Sequence, residues 1–83
     1  MGRSEIFQRV LEILTPYAED PALIESATME SHLADDLTVD SSHMVDASLE
    51  IEDEYQIEFE DEELAELKRM NHLLDMIEKK LAS

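Results

Sequence analysis

Eighty-three residues make at most one domain with a modest core, too little chain for a large cavity or an elaborate catalytic centre. Twenty-two acidic side chains against six basic ones give a net charge of −16, which repels nucleic-acid phosphates and anionic lipid surfaces and calls for basic partners or cationic ligands. The absence of cysteine removes disulfides, thiolate metal sites and any thiol nucleophile of the chain's own.

From Ser4 to about Tyr17, Ile6, Phe7, Val10, Leu11, Ile13 and Leu14 follow helical spacing, with Arg3, Glu5, Gln8, Arg9 and Glu12 on the opposite side. Ser4 reads as the N-cap, and Pro16 discourages continuation. Residues 16 to 40 lack sustained periodicity and read as a long connection, with one short turn near Leu23 and Ile24. A connection that long in a small domain is usually functional, and Leu33 and Leu37 are the residues expected to pin it to the core.

A second amphipathic helix spans Ser41 to Tyr55. At 100° per residue Met44, Ala47, Ser48, Ile51 and Tyr55 fall on one face, with Asp40 as an N-cap suited to the helix dipole. Val45 and Leu49 lie elsewhere, one turn apart, among Asp46, Glu50, Glu52 and Asp53. Periodicity leaves two readings equally open: a docking patch, or a surface covered by another helix or by the long connection. A short helix follows around Asp61 to Leu67. Asn71 reads as the cap of a final helix whose buried stripe is Leu73, Leu74, Ile77 and Leu81, with Lys79 and Lys80 favourably placed at its C-terminal end. The expectation is an all-α fold over residues 1–83: a four-helix bundle of three main helices and one short one, with a long loop between the first two. The lone glycine, Gly2, and the lack of any strand pattern agree with it.

The stretch Asp35-Asp36-Leu37-Thr38-Val39-Asp40-Ser41, with the acidic helix that runs on to Tyr55 and then Ile57, Phe59, Asp61 and Glu62, resembles the acyl carrier proteins. Asp40-Ser41 matches the start of that family's Asp-Ser-Leu motif, and Tyr55 falls where the family has an aromatic residue. The resemblance is sharp over residues 35 to 62 and covers nearly the whole chain. It implies a non-catalytic carrier whose motif serine, Ser41, bears 4'-phosphopantetheine through a phosphodiester, with Asp40 as the motif acid beside it. A phosphopantetheinyl transferase would install the arm from coenzyme A, and acyl-processing enzymes with basic docking patches would read Val45, Asp46, Leu49, Glu50, Glu52 and Asp53. The arm would supply the thiol that a cysteine-free chain lacks, and a thioester on it activates the acyl carbonyl.

The chain departs from the family pattern at four places: Ser42 stands for the leucine after the motif serine, and His43 follows where an acid is frequent. Thr38 stands for a glycine and Glu60 for a proline. Loss of the leucine removes an apolar contact, so a specialised carrier in fatty acid, lipid or polyketide synthesis is expected. The alternatives are an unmodified acidic adaptor for a basic protein, and a peptidyl carrier domain.

Other constellations carry less. His32, His43 and His72 lack ligand spacing. Asp35 to Asp46 lacks the central glycine and acid spacing of an EF-hand. Met44 and Met76 read as core filler. No nucleophile, base and orienting group stand in a pattern that would make an enzyme. A monomer in the cytoplasm, without membrane insertion or nucleic-acid binding, completes the expectation.

Overall fold

In the computed structural model, which describes residues 2–82, the first apolar repeat folds into α1, Arg3–Leu14. Ile6, Val10, Ile13 and Leu14 are its buried face, while Phe7 and Leu11 pack half-buried against the core. Ser4 is not the cap. The helix begins one residue earlier, and the Gly2 carbonyl accepts the N–H groups of Glu5 and Ile6 at 3.1 and 3.2 Å with no side-chain cap. Pro16 tightens the end into a 3₁₀ turn, Thr15–Tyr17, and the Thr15 hydroxyl donates to the Leu11 carbonyl at 2.7 Å.

The connection from 18 to 40 is irregular but pinned. Its one regular piece is a 3₁₀ helix, Pro21–Ser26, whose first turn is capped by Asp20 accepting from the Ala22 N–H. Ala18, Ile24, Leu33, Leu37 and Val39 are all buried, so the two anchors expected from the sequence are joined by three more. Each buried aliphatic side chain stabilises the segment by roughly 1.5–3 kcal/mol before its ordering entropy is charged against it.

α2, Ser41–Tyr55, buries Met44, Ala47, Ser48, Ile51 and Tyr55, the five residues of the predicted face. Ser48 satisfies itself by donating to the Val45 carbonyl at 2.6 Å. Gln56 ends the helix in the left-handed region at φ 56°, after which Ile57 turns into the core. α3, Asp61–Glu66, starts with the Glu60 N–H held by Glu63 Oε1 at 2.9 Å and has no buried residue.

α4, Met70–Ala82, buries Met70, Leu73, Leu74 and Ile77. Two expectations fail here. Leu81 is exposed: the buried stripe of α4 ends at Ile77, one turn earlier. Asn71 lies inside the first turn rather than before it, with its Oδ1 buried and unpaired. The first N–H groups go instead to the connection: Met70 donates to the Ser31 carbonyl and Asn71 to that of Met29, each at 2.9 Å. Beside them Leu33 donates to the Lys68 carbonyl at 2.8 Å, and His32 and Arg69 form an antiparallel bridge. This short crossing staples the long connection to the α3–α4 junction.

Two of the six cations tie α1 to its neighbours. Arg3 pairs with Asp75 and Glu78 on α4, and Arg9 with Glu12 and with Glu54 on α2. These pairs are largely solvated, so their worth is small.

Candidate functional site

The site is built around the start of α2. The Asp40 carboxylate accepts the His43 N–H at 2.8 Å and lies 3.0 Å from His43 Nδ1, while the Asp40 carbonyl accepts from Met44. This closes the first turn and fixes Ser41 as the first helical residue, exposed to solvent. Buried Val39 and Met44 hold the turn to the core on either side of it.

Thr38 adopts φ 59°, a conformation that a β-branched residue rarely takes. It is held there from both ends: its carbonyl accepts the Glu19 N–H at 3.0 Å and its hydroxyl oxygen accepts the Asp20 N–H at 2.9 Å. A position where the resemblance has glycine is therefore one where the backbone needs the left-handed region.

Ser41 borders a cavity of about 360 Å³. Its apolar lining comes from the connection (Leu33, Val39), from α2 (Met44) and from the α3 side (Leu64, Ala65, Leu67). A volume in the range of small-ligand pockets was not expected from a chain of this length. The cavity lies between α3, which touches the core through half-buried Leu64 but has no fully buried residue, and the pinned connection. Three further polar side chains reach the lining: His32, Asp61 and Lys68.

Along α2, Val45 and Leu49 are 47% and 59% exposed, which decides against a covering helix or loop. Asp46, Glu50 and Asp53 are exposed around them. Glu52 stands apart: it is half-buried, and its Oε2 accepts the Phe59 N–H at 2.6 Å, which fixes the turn after α2. The sequence grouped Glu52 with the surface acids because nothing local reveals that bond. Tyr17 borders this field, and burial followed by its hydrogen bond to Glu50 raises its hydroxyl above the ordinary value. Tyr55 is raised as well, by burial first and then by the Glu54 charge. Ser42 and His43 are both exposed at the start of the helix.

The cavity, and the presence of Lys68 and His32 on the same lining as Ser41, were invisible in the sequence, because they join positions far apart in the chain. Among the described residues no group of three potential ligands could hold a metal ion, and no helix is long and apolar enough to cross a membrane.

No protein-family model matches the chain. It is 39% identical over 83 residues to an acyl carrier protein of Coprothermobacter proteolyticus, covering 98% of this chain and 96% of that one. It is 34% identical over 84 residues to an acyl carrier protein of Thermosynechococcus vestitus, covering both chains completely. Among solved structures, an acyl carrier protein of Thermotoga maritima superposes with a TM-score of 0.79 at 25% identity, over 96% of this chain and 91% of that one.

Proposed function

The chain belongs to the acyl carrier protein family, and from that premise we propose that Ser41 carries its 4'-phosphopantetheine arm, with the cavity beside it sheltering the cargo. As a member of that family it carries acyl groups and does not catalyse their chemistry. The observation that carries the assignment is that one hydroxyl is both exposed at the first position of a 15-residue helix and on the rim of an apolar cavity.

The residues present suit the group. The dipole at the start of α2 favours the phosphate oxygens that attachment brings there. Asp40 is already engaged as the cap, so it acts as a positioning residue that fixes Ser41 rather than as a free acid. When bound, the arm supplies the thiol on which an acyl group is held and activated. Exclusion of water by the aliphatic lining would then slow hydrolysis of a sheltered thioester.

Partner enzymes dock on Val45 and Leu49, with Asp46, Glu50 and Asp53 steering their basic patches. With no cation between Arg9 and Lys68, that field has no internal counter-charge along α2, and encounters are fast and weakened by salt. Ser42 puts a hydroxyl where the family pattern has an apolar contact, and His43 replaces a frequent acid, which supports a carrier with a restricted set of partners.

The test is intact mass after incubation with coenzyme A and a broad-specificity phosphopantetheinyl transferase. A gain of one phosphopantetheine by the wild type and none by Ser41→Ala is expected. A gain that survives the substitution would move the site to Ser42. No gain from a folded chain would leave an unmodified acidic adaptor as the better reading.

A further inference from the structure

Four of the chain's cations have partners inside the molecule. Arg3, Arg9 and Lys80 pair with carboxylates, and the Arg69 guanidinium donates to the Glu30 carbonyl at 2.7 Å. Lys68 makes no ion pair among the described residues, although the chain offers twenty-two carboxylates. It also borders the cavity that Ser41 borders.

Its position is fixed by the backbone. The Lys68 carbonyl accepts from Leu33, and the next residue, Arg69, is bridged to His32. The two crossing segments thereby bring Lys68 and His32 to one edge of the cavity. His32 Nδ1 accepts the Asp35 N–H at 3.1 Å, so in the neutral ring the proton sits on Nε2, a donor with no partner among the described residues. One exposed ammonium and one half-buried imidazole N–H therefore stand on the rim of a largely apolar cavity in a molecule that is otherwise strongly negative. Asp61, the only carboxylate on that lining, is not within ion-pair distance of Lys68.

We propose that Lys68 and His32 form an oxyanion-recognising edge of the cavity, which engages an anionic group carried on the arm at Ser41. The inference rests on the carrier reading above and adds the chemistry of what the cavity holds. Two groups share that chemistry: the phosphodiester of the arm, and a carboxylate at the far end of the acyl cargo. Lys68 is itself exposed, so a charge pair there is partly solvated and gains only modestly from the neighbouring aliphatic side chains. A plain alkyl chain gains nothing from this edge.

The test uses protein loaded at Ser41, verified by mass, in four forms: apo, holo, hexanoyl and adipoyl, the last two differing by a terminal carboxylate. The side-chain carbon signals of Lys68 are followed by NMR, and thioester hydrolysis is timed in wild type, Lys68→Met and Lys68→Arg. A Lys68 shift already complete on going from apo to holo assigns the phosphodiester. A shift with adipoyl but not with hexanoyl or holo assigns the cargo carboxylate. In that second case Lys68→Met is expected to speed adipoyl hydrolysis roughly fivefold, the size of one partly solvated charge pair, with hexanoyl unchanged and Lys68→Arg restoring protection. No shift in any form, or a shift produced by hexanoyl alone, overturns the proposal while leaving the carrier reading intact. A chain that takes no arm overturns both.

Discussion

The irregular connection before α2 and the regular helix α3 both border the cavity, yet they are anchored in opposite ways. The connection has little repeating structure but buries Ala18, Ile24, Leu33, Leu37 and Val39. α3 is a hydrogen-bonded helix with no fully buried residue, touching the core through half-buried Leu64. Its stronger anchors flank it, buried Ile57 before it and Leu67 after it, and the bond from Lys80 to Glu63 at 2.9 Å ties its middle. Regular hydrogen bonding and attachment to the core are thus separate properties. The wall that looks like a loop is the firm one, and the wall that looks like a helix is the one able to yield.

The largest expected effect breaks the firm wall. Leu37→Ala removes a side chain only 1% exposed and is expected to cost about 2–5 kcal/mol in urea unfolding. Leu64→Ala, at a half-buried side chain of α3, is expected to cost under about 2 kcal/mol. Equal costs would mean that α3 is as firmly seated as the connection. A smaller effect sharpens the comparison at Thr38. Thr38→Ala keeps the unfavourable φ and loses the bond to Asp20, for a cost of about 1 kcal/mol. Thr38→Gly loses the same bond but relieves the backbone, so it is expected to fall within about 1 kcal/mol of wild type. If glycine proved the worse of the two, relief of backbone strain would not be the deciding term.

The smallest effect concerns the tie on α3. The hydrogen bond from Lys80, and then the Glu60 N–H, hold the Glu63 carboxyl below its ordinary value of 4.5. A folded-state value below the unfolded one contributes stability that is complete above the ordinary value and lost as pH falls through the lower one. Hydrogen exchange corrected for intrinsic rates should therefore show α3 losing protection in acid before Leu33, Leu37 and Val39 do. Glu63→Gln should flatten that dependence. Simultaneous loss of protection in both walls would erase the distinction.

The sequence made the interior of α2 legible because a single period, 100° per residue, decides it, and all five predicted residues are buried. The Asp40 cap was legible for the same reason: donor and acceptor lie three residues apart. Ser4 and Asn71 were misread because backbone carbonyls do their work, at Asn71 those of Met29 and Ser31 about forty residues earlier in the chain. Leu81 fits the repeat but lies one turn beyond Ile77, the last buried position of α4. The family motif found the rim of the site at Ser41. It could not find the cavity, whose volume depends on where α3 comes to rest, nor Lys68 and His32, which meet only through the crossing of two distant segments.

That crossing also orders assembly in time. α1, α2 and α4 each carry their own apolar repeat and can begin to form from nearby residues. The bridge between His32 and Arg69 requires a long loop to close, at an entropic cost that the local helices do not carry. The cavity has lining residues on both sides of the bridge, so it is expected to be completed only after that loop has closed. Helical circular dichroism can reach its native value while the chamber for the cargo is still open.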